Sequence, residues 1–182
     1  MPQFFRGPGE FVKTMLETAL YTLVGATMIA AAAYDALTLT IPNWISLVLI
    51  ALFPLLALAV GLGWHELAWH VAIGIIALAA GIAAFALGIV GGGDAKLFAA
   101  VALYMGPVGV APYVFAVAIA GGFLATIFML LQLPWVETWA RHSSVLTQIV
   151  SRGVAIPYGV AIAAGGLYAS TSSHLFSLIA LT

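Results

Sequence analysis

Two carboxylates and a glycine run hold most of the reactive chemistry this chain can offer. Gly91-Gly92-Gly93-Asp94-Ala95-Lys96 sets three glycines, an acid and a base between long apolar runs, and Asp35 closes an earlier run. They are the only aspartates among 182 residues, and only eleven residues carry a formal charge. Two carboxylates brought close in a low-dielectric site cannot both ionise, so the pair shares a proton. That is the electrostatic arrangement of an aspartic protease: one carboxylate draws a proton from water while its protonated partner polarises the scissile carbonyl. Gly91, Gly92 and Gly93 would let backbone approach an extended peptide, since no side chain intervenes. Lys96 is a candidate for stabilising the charged site or binding an acidic group of a substrate.

Plainer readings exist for each residue. Asp94 suits the N-cap of a following helix, and Asp35 suits the interfacial end of a span. Lys96 has the length to snorkel to headgroups, and a glycine triplet can be a simple connector. What joins the two aspartates is crossing parity. Asp35 follows the first apolar span and Asp94 the third, so two crossings separate them and they emerge on one membrane face whichever way the chain inserts. Ionisable groups at such positions are costly and usually functional.

The elements that must position these residues follow from composition. The chain is 64% hydrophobic and 6% charged, against about 25% charged in soluble domains. Its apolar runs approach or reach the roughly 20 residues a transmembrane helix needs. They are continuous rather than alternating, which argues against a β-barrel. The expectation is a single all-α domain over 1–182, a polytopic membrane protein with about six transmembrane helices. The spans are placed near 16–34, 44–62, 71–90, 95–105, 112–133 and 154–174. The fourth is short, about half a bilayer's hydrocarbon thickness, and an interfacial helix is expected over 135–152 between the fifth and sixth. Residues 1–15 read as a polar lead, with no cleavable signal peptide expected.

Pro42 breaks the chain after the first span, and Asn43 is placed as N-cap of the second helix. Pro54 predicts a kink within that helix. Gly74, Ala77, Gly81, Ala84 and Gly88 form a small-residue stripe on one face of the third helix. Such a stripe permits close helix approach and places this helix in the middle of the bundle. The four histidines (His65, His70, His142, His174) share no metal-ligand spacing and read as interfacial polar residues. With no cysteine in the chain, disulfides, thiol catalysis and cysteine-ligated zinc are excluded. No metal or cofactor is expected. The net charge of −1 argues against a nucleic-acid partner; membrane lipid is the evident surrounding.

These residues resemble the type IV prepilin peptidase family, a group of GxGD-type aspartic membrane proteases. Gly91-Gly92-Gly93-Asp94-Ala95-Lys96 is similar to the family's glycine-x-glycine-aspartate-x-lysine motif. Asp35 followed by Ile41-Pro42-Asn43 resembles its aspartate preceding isoleucine-proline-asparagine. Ile156-Pro157-Tyr158-Gly159 resembles the start of its last helix. The resemblance implies catalytic roles for Asp35 and Asp94, with Pro42, Asn43, Lys96, Pro157, Tyr158, Gly159 and the glycine triplet as substrate-binding or structural support. It implies an inner-membrane endopeptidase that removes the short basic leader of type IV prepilins or pilin-like proteins on the cytoplasmic side. Large members also N-methylate the new terminus and carry a cysteine-rich zinc-binding insert. This chain, with no cysteine and a tight stretch between Asp35 and Asn43, is similar to the small peptidase-only members that serve Flp/Tad (tight-adherence) pili. Many members have basic residues between the aspartate and isoleucine-proline-asparagine; here the stretch is Ala-Leu-Thr-Leu-Thr.

Two alternatives use the same carboxylates. Tyr34-Asp35 and the glycine-aspartate core are also similar to presenilin-like intramembrane proteases, although the proline-alanine-leucine tripeptide of those proteins is absent. A proton-coupled transporter is the other, and the chain shows no inverted repeat of the kind common in transporters. Charge orients the chain by one residue only. Lys96, Arg141 and Arg152 fall on the aspartate side against Arg6 and Lys13 on the other. Neither the particular pilin nor the oligomeric state follows from the sequence.

Overall fold

The computed structural model describes residues 8–133, 156–173 and 175–176. Five helices account for nearly all of them: α1 (Pro8–Thr38), α2 (Asn43–Ala59), α3 (Trp64–Ala86), α4 (Gly92–Leu131) and α5 (Tyr158–Ser170). By length and composition α1, α3 and α4 can each cross a membrane, and α2 is a shorter apolar helix. The chain is a polytopic helical membrane protein. The interfacial helix expected over 135–152 lies outside the described residues, as do His142 and His174.

The helix α1 runs from Pro8, whose missing N–H costs nothing in a first turn, so the described part of the expected polar lead, 8–15, is helical. Hydroxyls of Thr14, Thr18, Thr22 and Thr27 each donate to the carbonyl four residues back, at 2.7–3.0 Å. This satisfies polar groups that lipid cannot. Val24, Met28, Ala31 and Asp35 fall three or four residues apart and are all buried, so the inward face of α1 ends on the aspartate. The helix continues one turn past the expected end, which places Asp35 inside its last turn. Leu39 then takes a left-handed conformation (φ 56°), its N–H bonding Asp35 O at 2.8 Å. The Thr38 hydroxyl braces the turn from Thr40 at 2.9 Å. The reversal aims Ile41 back toward Asp35.

Pro42, not Asn43, is the N-cap of α2, with extended backbone and no side-chain cap bond. Asn43 is the first helical residue and is free to bond elsewhere. The α2–α3 connection is shorter than expected, because α3 already begins at Trp64, where the Glu66 carboxylate accepts the Gly63 N–H at 3.3 Å.

In α4 the chain doubles back. Gly106 (φ 59°, ψ −168°) interrupts it, a backbone combination open essentially to glycine alone, and Pro107 starts the following turn. The Phe98 and Tyr113 rings stack at 5.0 Å, and the Tyr113 hydroxyl donates to Phe98 O at 3.2 Å. In a straight helix those residues would stand roughly 22 Å apart. Residues 107–131 therefore run back along residues 92–105, where the sequence reading had placed two separate spans. His70 from α3 plugs the turn. It is buried, its Nδ1–H donates to Leu103 O at 2.6 Å, and its ring lies against Gly106. His70 is thus a buried structural residue rather than an interfacial one.

The hairpin of α4, and not α3, forms the middle of the bundle. It packs against α2, α3 and α5, whereas α3 packs mainly on α4. The small-residue stripe is the seam between them: Gly74 faces Leu103, and Gly81 faces Ala95. Gly88 lies beyond the helix, in the turn leading to the glycine run, with φ 71°. On the other side Gly165 faces Val117 and Gly166 faces Val101, so α5 sits against both arms of the hairpin.

Candidate active site

Asp35 and Asp94 arrive from different directions at the same end of the bundle. Asp35 is only 4% exposed. Its Oδ2 accepts the N–H of Gly159 at 2.6 Å. A backbone donor from the first turn of α5 thus holds a side chain from the last turn of α1. The unsatisfied N–H groups of a helix start make it a ready partner for a carboxylate.

Asp94 is the third helical residue of α4, and Gly91 is the N-cap. Asp94 Oδ2 accepts the Gly91 N–H at 3.2 Å, so the side chain closes the helix end from within the first turn. That bond leaves the carboxyl half-buried and facing a cavity of about 410 Å³ between α3, both arms of α4 and α5. Asp94 lies within electrostatic reach of Asp35.

One apolar side chain links the two. A Cβ on Gly93 would come within 3.2 Å of Ile41 Cβ. One on Gly159 would meet Ile41 Cδ1 at 2.7 Å and Asp35 Oδ2 at 2.8 Å. Ile41 is therefore wedged between the glycine run and the start of α5, touching the backbone beside each aspartate. Only glycine allows this approach at either position. Gly92 packs on the Phe85 ring at 3.5 Å. The space beside Gly92 and Gly93, read from sequence as room for a peptide backbone, is taken by the protein's own side chains. Backbone angles at Gly91 are ordinary (φ −72°), so the triplet serves close packing rather than an unusual turn.

Lys96 points away from the aspartates. Its Nζ donates to Asn43 Oδ1 at 2.8 Å, tying the first turn of α4 to the first residue of α2. Pro42 caps α2 and Pro157 caps α5, each fixing where a helix begins beside the site. Tyr158 is the first residue of α5; its ring lies against Gly121 and lines the same cavity as Asp94. Ile41 and the Gly159–Asp35 bond are the features that residue spacing did not reveal. His65 is exposed and accepts from Trp69 Nε1 at 3.3 Å. Among the described residues no group of three His, Cys, Asp or Glu could hold a metal ion.

Among known proteins, neither the curated sequences nor the solved structures include a match to this chain. The type IV leader peptidase family does match, over residues 22–129. That range takes in Asp35, Ile41-Pro42-Asn43, the glycine run and nearly all of the α4 hairpin, and more than half of the chain. With the described residues almost all helical and three helices long and apolar enough to cross a membrane, the chain belongs to the type IV leader peptidase family and is a membrane peptidase.

Proposed function

We propose that the chain is an aspartic endopeptidase that removes the basic leader from type IV prepilins of the Flp/Tad kind, with Asp35 and Asp94 as its catalytic pair. The observation that carries this is their convergence: two carboxylates within electrostatic reach, each held by a backbone N–H, with Ile41 packed against the glycines beside both. In the reaction, one aspartate as carboxylate takes a proton from water while the water oxygen bonds to the scissile carbonyl carbon. The other, protonated, gives its proton to the carbonyl oxygen, so the tetrahedral intermediate forms without a free oxyanion. Collapse breaks the C–N bond as a proton passes to the leaving amine, and the shared proton is restored. No metal or cofactor enters this scheme, and no N-methyltransferase activity is assigned to the chain.

In this reading α1, α2, α3, the two arms of α4 and α5 are the six membrane segments, in the inner membrane of a bacterium. The aspartates face the cytoplasm, where a basic leader is held by anionic headgroups and by the positive-inside arrangement of its own precursor. The test is incubation of purified protein in vesicles with a prepilin, followed by the mass of the products. A single cut beside the basic leader is the expected result. Cleavage inside the apolar segment would instead make it a presenilin-like intramembrane protease. Full cleavage after Asp35→Asn or Asp94→Asn would remove the aspartates from the chemistry.

A further inference from the structure

Two cavities flank the first arm of α4, and they differ in kind. The one that Asp94 faces lies between α3 and the returning arm of α4, and its walls are mostly small: Ala80, Ala84, Ala118, Gly121, Gly122 and Ala125. The other, of about 540 Å³ between α2, α3 and α4, is walled by larger side chains such as Leu47, Ile50, Ile75 and Leu103, and Lys96 is among the residues that line it. A basic leader brought to the second would meet a like charge; brought to the first it would meet Asp94.

Small-walled grooves let a second helix backbone approach closely, where branched walls would hold it off. The residues of the returning arm that line the first groove span 117–125, about 12 Å or two helical turns. Ile82, Phe85 and Phe123, next in sequence to its lining residues Gly81, Ala84 and Gly122, are exposed apolar side chains. Within it, Gly122 stands apart from most other glycines of the bundle. A Cβ there would meet nothing within 4 Å, whereas at Gly81 or Gly165 it would strike a neighbouring helix. Among the described residues, therefore, nothing covers Gly122.

We propose that this groove receives the apolar helix of the precursor from the side, between α3 and the returning arm of α4, and sets the residue preceding that helix at Asp94. The inference rests on the leader-peptidase reading and assigns its substrate a docking surface. Gly122 is a specificity-determining position: its missing side chain is the space the substrate helix fills.

The experiment uses the full chain in phospholipid vesicles with a full-length prepilin. The Cβ of Gly122→Leu meets nothing within 4 Å, so the variant is expected to keep its unfolding temperature. Its KM for the precursor is expected to rise at least tenfold. A benzophenone amino acid at position 122 is expected to cross-link to the precursor's apolar segment, and the same group at Leu47, in the other groove, is not. A wild-type KM in Gly122→Leu overturns the proposal, as does cross-linking from 122 to lipid alone or equally from 47. Should the leucine variant lose its fold, the cross-linking pair decides. Should wild-type protein leave the precursor whole, the leader-peptidase reading fails, and cross-linking from 122 still reports whether the groove takes an apolar helix.

Discussion

Replacing Gly159 by alanine tests the central contact of the site. The new methyl carbon would stand 2.7 Å from Ile41 Cδ1, 2.8 Å from Asp35 Oδ2 and 2.9 Å from Asp35 Cβ. The first two atoms are side-chain ends and can rotate away. Asp35 Cβ is fixed to the α1 backbone, so restoring an ordinary contact of 3.4 Å requires α1 and α5 to part by about half an ångström. The separation lengthens or breaks the 2.6 Å bond from the Gly159 N–H and turns the carboxylate. Overpacking of this kind costs about 1–3 kcal/mol of stability. A misplacement of about 1 Å at reacting groups costs roughly a hundredfold in rate; for half that shift we expect kcat to fall about tenfold to fiftyfold. The assay is product mass against time with a prepilin in vesicles, paired with thermal unfolding of the same preparation. Gly9→Ala is the control, because a Cβ there meets nothing within 4 Å. A Gly159→Ala protein with wild-type kcat would show that the Asp35 carboxylate need not sit where α5 holds it, and the catalytic reading of this geometry would fall.

Asp35→Asn and Asp94→Asn should each lower cleavage by about a thousandfold or more while membrane insertion, read by protease protection, is unchanged. Gly106→Ala forces a side chain into a positive-φ conformation and into the His70 ring; a loss of about 2–4 kcal/mol is expected, seen as a lower unfolding temperature. His70→Ala removes the bond to Leu103 O and leaves a cavity at the turn, for about 2–4 kcal/mol, again read by unfolding. Gly81→Val drives a side chain at Ala95, whose Cα lies 3.2 Å from the site of the new Cβ. Because Ala95 adjoins Asp94, kcat should fall along with stability, and an unchanged kcat would show that the α3–α4 seam does not position the aspartate.

The pairing of Asp35 with Asp94 was legible because parity depends only on counting crossings, and α2 and α3 do return the chain to the same end. The break after the short span expected at 95–105 was legible too, because the Gly106-Pro107 that follows it is strong punctuation. Its sharpness was not: with His70 filling the turn, the two arms of α4 are joined by a single non-helical residue. His70 was misread because burial of a polar side chain depends on what meets it from another helix. A histidine near the start of a span looks interfacial until Gly106 is found against its ring. The stripe on α3 correctly announced close packing but not where the middle lies, since a small-residue seam has two sides and sequence shows one. The Gly159–Asp35 bond joins residues 124 positions apart through a backbone N–H, a group every non-proline residue has and no motif can mark.

That same separation sets an order of events in biosynthesis. When Asp35 leaves the ribosome, the backbone groups that will hold it have not been translated. At about 5–20 residues per second, the 124 residues between them take roughly 6–25 s. During that interval α1 to α4 can enter the membrane, but the Asp35 carboxylate has no α5 beneath it and Ile41 has only one of its two glycine seats. The setting of Asp35 is thus unfinished until the arrival of α5 completes it.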